Sequence, residues 1–423
     1  MSVTAPLGFR AAGVVAGLKA SGERDVAVVI NDGPSRAAAA VFTTNRVQAA
    51  PVKWTRQVAS GGRVRAVVLN SGGANACTGP LGFQDTHATA ERLAATLDDS
   101  PGEIAVCSTG LIGDRLPLDK LLPAVDAAVA EADRSGGVHA ADAIRTTDTI
   151  IKIAFRREDG SAPSGGQTSR MEGSPPASGA PAPDHPRRPP SPQTPPGKGV
   201  WSVGGMAKGA GMLAPSLATM LVVLTTDADL TAQELDSALR SATAVTFDRL
   251  DSDGCMSTND TVLLMASGAS GVKPDKRDFT RTLTEVCADL ARQLQRNAEG
   301  ASKYVTIEVV GAASENDAVT VGRSVARNSL LKCALAGADP NWGRVLTAVG
   351  TTDAVFDPDR LNVAMNGTWV CRGGAPGDDR SKVDLSGRDI TITVDLSAGP
   401  HSAVILTTDL TEAYVHENSA YST

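Results

Sequence analysis

Short apolar runs recur along the chain, separated by polar and glycine-rich breaks. Runs such as VAVVI from Val26 and MLVVL from Met220 are rich in β-branched residues and bounded by Gly, Asn, Asp or Pro. That pattern predicts strands at 25–30, 65–69, 103–107, 150–155, 220–225, 261–266, 303–309, 389–395 and 402–407. Apolar residues spaced three and four apart predict helices at 87–96, 118–132, 231–245, 276–299 and 324–335. Strand pairs interleaved with long helices do not make a regular βαβ repeat, so the expected fold class is a layered α/β or α+β arrangement.

One segment breaks this texture: DGSAPSGGQTSRMEGSPPASGAPAPDHPRRPPSPQTPPGKG, at 159–199. Pro, Gly and Ser dominate it and almost nothing in it can bury surface, so it cannot offset the entropy of ordering. It is expected to be a disordered insert, an inert spacer of polyproline character in preference to a PxxP ligand.

Composition narrows the function. With 423 residues and 42% hydrophobic positions the chain can build a sizeable core, and because aromatics are 3% that core must be aliphatic. The net charge is -7 and no basic stripe carries interleaved aromatics, which argues against nucleic acid as a partner. The apolar runs fall far short of the roughly 20 residues of a membrane span, and MSVTAPLGFR lacks the regions of a secretory signal; a cytoplasmic location is expected. The six cysteines and five histidines are scattered without CxxC or zinc-ligand spacing. Buried free thiols and no metal are the expectation.

The chemistry is concentrated in KGAGMLAPSLATMLVVLTTDADL, at 208–230. GAGMLA fits G-x-G-x-x-A, but a dinucleotide site needs a strand directly before, a helix directly after and an acid about 20 residues on. Here Pro215 and then a strand follow, and Asp227 and Asp229 come too early, so hydride transfer is disfavoured. Taken alone, Thr219 is a strand residue that packs well on a pleated surface.

The neighbourhood changes that account. KGAGMLAPSLATML resembles the self-cleavage motif of the ornithine acetyltransferase family, the glutamate N-acetyltransferases. GFRAAGVVAGLK, AAAAVFTTNRVQAAPV, NSGGANACTG, STGLIG, TTDT, STNDT, DPNWGR and the terminal ENSAYST follow in the family's order. Departures are Gly73 for a usual Asn, Ala210 for a usual Ser, and the Pro-rich insert.

The resemblance implies a sandwich of β-sheets packed with helices, made from one precursor. Cleavage between Ala218 and Thr219 would give an α chain, 1–218, containing the insert, and a β chain, 219–423. A threonine hydroxyl inside a chain is a poor nucleophile; freed at an N-terminus it gains the α-amine as its base, with a reference pKa of about 7.7 to 8. Thr219 is then the implied nucleophile, and Thr109 and Gly110 the implied oxyanion donors. Thr147, Lys208, Thr219, Glu299, Asn418 and Thr423 are the implied substrate contacts, with Thr146 a register-shifted rival to Thr147. Lys208 would pair with a carboxylate and Glu299 with the ornithine ammonium. The implied partners are N-acetylornithine, glutamate, ornithine and N-acetylglutamate, and the implied assembly is an α2β2 heterotetramer. No cofactor is implied, and acetyl-CoA enters as co-substrate only in a bifunctional enzyme. A related self-cleaving amide hydrolase or aminopeptidase that passes the acyl group to water, and a non-catalytic binding paralogue that stays a single chain, remain as alternatives.

Overall fold

The computed structural model describes residues 2–159, 199–213 and 220–420. The expected insert therefore lies almost wholly outside the described residues, as do Ala218, Thr219 and Thr423.

Three sheets form the scaffold. The first has four strands: β1 (Phe9–Val14), β2 (Val26–Asn31), β4 (Ala66–Asn70) and β5 (Ile104–Ser108), with β4 and β5 parallel. The second has five, in the order β3 (Ala38–Phe42), β9 (Thr261–Ala266), β8 (Leu221–Thr226), β7 (Trp201–Lys208) and β6 (Lys152–Glu158), with β8 and β9 parallel. Alternation along β8 and β9 makes this sheet two-sided. Leu221, Val223, Leu263 and Met265 share a core with the four-stranded sheet and with α2 (Gly79–Thr96), α3 (Leu118–Glu131) and α4 (Gly137–Ala143). Val222, Leu224, Val262 and Leu264 face α5 (Ala232–Ala244) and α6 (Lys276–Arg296). The layers thus run helix, sheet, sheet, helix, and the layered α/β expectation holds. The third sheet, β13 (Ala375–Pro376), β12 (Thr368–Arg372), β11 (Asn362–Met365), β14 (Asp389–Asp395), β10 (Tyr304–Ala312) and β15 (His401–Thr408), has its own core under α7 (Glu315–Ala326), α8 (Ser329–Ala336) and α9 (Trp342–Val349). Helices α1 (Ala50–Ser60) and α10 (Glu412–Ala420) are the remaining α-helices among the described residues.

All nine expected strands form, within a few residues of their expected ends. Three departures have physical causes. The helix expected over 324–335 is two helices, because Asn328 leaves the helical conformation and its side chain accepts the Leu331 N–H at 2.9 Å to cap a new one. The helix expected from 87 starts at Gly79, where Pro80 occupies the first turn, a position whose N–H needs no partner. Strands β1, β3 and β7 carry Ala- and Gly-rich sequences and gave no strand signal. In β7, a Cβ on Gly205 would meet Leu290 Cδ1 of α6 at 3.0 Å, so small residues there let helix and sheet approach.

The expectation of buried thiols is corrected: Cys107, Cys287 and Cys371 are buried, but Cys77, Cys255 and Cys333 are exposed.

Candidate active site

The ends of several strands converge on one place. Lys208 closes β7 opposite Leu221, the first residue of β8, and Leu221 in turn pairs with Thr261, the first of β9. Lys208, Met220 and Asp260 therefore stand side by side at one end of the five-stranded sheet. Thr109 follows the last residue of β5 in the other sheet. Asn259 joins the two sheets: its Nδ2 donates to the Ala74 carbonyl at 2.6 Å and to the Ser108 carbonyl at 2.8 Å.

Here Lys208 Nζ donates to Thr109 Oγ1 at 3.2 Å, across 99 residues of sequence. Both side chains are almost fully buried. A hydroxyl that accepts from Lys208 must turn its own hydrogen elsewhere, so Thr109 is left with a directed donor. Gly110 has φ +128, and a Cβ on it would lie 2.8 Å from the Gly73 nitrogen, so only glycine fits this turn.

Burial pulls Lys208 below the usual lysine range, and Asp148, Glu299 and Asp260 act against that pull. Asp148 is the pivot of the TTDT turn. It accepts from Lys152 Nζ at 2.5 Å, from the Gly209 N–H at 2.7 Å and from the Thr146 N–H at 3.0 Å. Burial alone would raise its carboxyl, but Lys208, Lys152 and the Gly209 amide overcome this and bring it down to about 2. Asp148 thereby fixes the start of the glycine-rich stretch.

Glu299 enters from the loop after α6, which ends at Arg296 instead of running to 299 as expected. Its Oε1 accepts from Thr147 Oγ1 at 2.6 Å. A Cβ on Gly211 would stand 2.5 Å from Glu299 Oε2, so the glycine-rich turn packs directly on the carboxylate. Helix α10 closes over this loop, Thr411 Oγ1 donating to the Gly300 carbonyl at 2.6 Å, and carries Asn418 to the same place.

Thr109, Gly110, Thr147, Lys208, Glu299 and Asn418 line one cavity of about 60 Å³, together with Thr146, Gly211 and Met212. Both threonines of the unresolved register thus face it, but only Thr147 bonds to Glu299. A groove of about 500 Å³, lined by Lys19, Glu23, Ser71 and Leu111, shares Gly110 and Thr146 with the cavity and leads away from it. Concavities of 440 and 600 Å³ elsewhere hold none of these residues. Among the described residues no cluster of His, Cys, Asp or Glu can hold a metal, and no helix is long and apolar enough to cross a membrane.

Sequence reasoning passed over Asp148, Lys152, Asn259 and Asp260. For Asp148, Asn259 and Asp260 the one signal was an acid inside a polar, turn-forming motif, TTDT and STNDT, and for Lys152 a lone lysine inside an apolar strand.

The ArgJ family model matches residues 10–181 and 191–423. The chain belongs to the ArgJ family. The arginine biosynthesis bifunctional protein ArgJ of Thermobifida fusca is 66% identical over 423 residues, covering 100% of both chains. That of Streptomyces coelicolor is 58% identical over 422 residues, again covering 100% of both. Among solved structures, ornithine acetyltransferase of Mycobacterium tuberculosis, complexed with ornithine, is 48% identical, with a TM-score of 0.39, covering 52% of this chain and 96% of that one. The resemblance read from the motifs is borne out at the level of family, and with it the enzyme class: this ArgJ chain is an acyltransferase.

Proposed function

We propose that this protein moves an acetyl group from N-acetylornithine to glutamate through an acetyl ester on Thr219, after cleaving itself between Ala218 and Thr219. The observation that carries the reading is the convergence of Thr109, Gly110, Thr147, Lys208, Glu299 and Asn418 on one cavity, beside Met212 and thus at the edge of the 214–219 stretch.

Each group then has a task. The Thr219 hydroxyl attacks, and its own α-amine takes the proton once cleavage has freed it. The Thr109 hydroxyl and the Gly110 amide donate to the oxygen on which negative charge develops, and Lys208 holds that hydroxyl in orientation while offering its charge to a substrate carboxylate. The Glu299 carboxylate, steadied by Thr147, takes the ornithine side-chain ammonium. Asn418 lines the pocket from the C-terminal helix, and Thr423, outside the described residues, is the further substrate contact that the family resemblance implies. Ornithine leaves, glutamate enters, and its amine takes the acetyl group. The precursor becomes an α chain ending at Ala218 and a β chain beginning at Thr219, assembled as an α2β2 heterotetramer in the cytoplasm. The relatives are named bifunctional, and on that ground we extend the reading to acetylation of glutamate from acetyl-CoA.

The test is to incubate the protein with N-acetylornithine, with and without glutamate, and to follow ornithine and N-acetylglutamate together. Parallel initial-rate lines, and one added acetyl mass on the first residue of the β chain with N-acetylornithine alone, are expected. Acetate release independent of glutamate would replace the transferase with a hydrolase.

A further inference from the structure

Lys152, the first residue of β6, has a side chain with no exposure to solvent. It pairs with Ala207 of β7, next to Lys208, but does not itself line the cavity. A buried ammonium must place its hydrogens on acceptors. Lys152 Nζ donates to Asp148 Oδ1 at 2.5 Å and to Asn297 Oδ1 at 2.6 Å. Asp148 belongs to the TTDT turn, whereas Asn297 caps the C-terminal end of α6, 145 residues from Lys152.

The two acceptors sit beside the two groups that meet in the cavity. Asp148 follows Thr147, and Asn297 stands just before the Glu299 loop. The same carboxylate oxygen of Asp148 also takes the Gly209 N–H at 2.7 Å, while the Glu299 N–H donates to the Ala210 carbonyl at 3.0 Å. Asn297 reaches the TTDT turn directly as well, accepting the Thr149 N–H at 3.2 Å and donating to Thr149 Oγ1 at 2.5 Å. Three walls of the cavity are thus tied together around one ammonium: the TTDT turn, the glycine-rich turn and the Glu299 loop.

Helix α6 does not need this tie. Gln293 already docks it on β6, accepting the Ile153 N–H at 3.1 Å and donating to the Ile153 carbonyl at 2.9 Å, and Leu283, Val286, Leu290 and Leu294 anchor it in the core. What Lys152 holds in addition is the loop after the helix. A buried ion pair adds little net stability over apolar side chains of the same size, because desolvation offsets the attraction; what it can supply is fixed geometry. Resting on the reading of Glu299 as the partner of the ornithine ammonium, we propose that Lys152 is a positioning residue for substrate specificity. Through Asp148 and Asn297 it sets the place of the Glu299 carboxylate, and with it the preference for a donor that carries a side-chain ammonium. The bond from Thr147 to Glu299 is not enough by itself, since both of its ends are borne on turns.

The experiment compares kcat/KM for N-acetylornithine with kcat/KM for N-acetylnorvaline, which has the same carbon chain and no side-chain ammonium. The ratio of the two reads recognition of the ammonium, and a general weakening of the fold lowers both values and leaves the ratio unchanged. Lys152→Met, which keeps the reach of the side chain, should lower the ratio by about tenfold or more, through KM for N-acetylornithine. Asn297→Ala should do the same, and it decides the matter should Lys152→Met not melt cooperatively, since Gln293 still holds α6. Asn297→Asp keeps an oxygen for Lys152 and should stay within about twofold of the wild-type ratio. A ratio as low as that of Asn297→Ala would assign the effect to the Thr149 bond and overturn the proposal. Added to Glu299→Gln, Asn297→Ala should lower the ratio no further, because both act through one carboxylate; losses that multiply would overturn the proposal too. Wild-type ratios in Lys152→Met and Asn297→Ala, beside a lowered ratio in Glu299→Gln, would refute the role of Lys152 alone. A wild-type ratio in Glu299→Gln would instead sink the reading of Glu299 itself, and the role of Lys152 with it.

Discussion

Gly211→Ala is a one-methyl perturbation of substrate recognition whose effect follows from the packing. The new Cβ would lie 2.5 Å from Glu299 Oε2 and 2.8 Å from its Cδ, whereas ordinary contact begins near 3.4 Å. The carboxylate must therefore move by roughly 0.9 Å, more than the 2.6 Å bond from Thr147 Oγ1 to Oε1 tolerates. Gly211 is not among the positive-φ residues, so the alanine brings no backbone strain, and the displaced atoms are the free end of a flexible side chain. Stability should hardly change. Recognition should suffer, because a charge-assisted hydrogen bond is worth about 1.5–3 kcal/mol, which converts to a loss of roughly 10- to 150-fold in kcat/KM for N-acetylornithine. The loss should fall on KM, since Glu299 contacts the substrate side chain and not the reacting carbonyl. The assay is steady-state kinetics on the processed enzyme, with a thermal melt as control. Wild-type kcat/KM with an unchanged melt would refute the placement of Glu299 at the substrate ammonium.

Two further outcomes test other parts of the site. Thr109→Val keeps the shape of the side chain and removes the hydroxyl that Lys208 orients, so kcat should fall by about 10²- to 10³-fold with KM little changed; a kcat within about twofold of wild type would remove Thr109 from the oxyanion site. Asp148 is depressed to about 2 in the folded state, so its contribution of about 2–3 kcal/mol is present above the unfolded value near 3.9 and lost as pH falls from there towards 2. In melts from pH 7 to pH 2, Asp148→Asn should be less stable than wild type at neutral pH and the two curves should converge across that acid window; parallel curves would contradict the burial of a charged Asp148.

The sequence by itself determined the layered α/β class, the positions of nine strands and the list of residues to examine. It could do so because strands and amphipathic helices are written locally, in periodicity and in bounding turns, and because the cleavage motif keeps its residues adjacent in the chain. It missed the Ala- and Gly-rich strands β1, β3 and β7, whose residues have little strand preference of their own and are held by pairing with neighbours distant in sequence. The relations within the site belong to the tertiary structure alone. That Lys208 serves Thr109, that Asp148 holds the glycine-rich turn, and that Asp260 grips the residue after Thr219 are contacts between segments 99, 61 and 40 residues apart. No local pattern encodes them, because what raises a buried acid's pKa in STNDT and lowers it in TTDT is what the fold sets around it: full burial at Asp260, and two lysines with the Gly209 amide at Asp148.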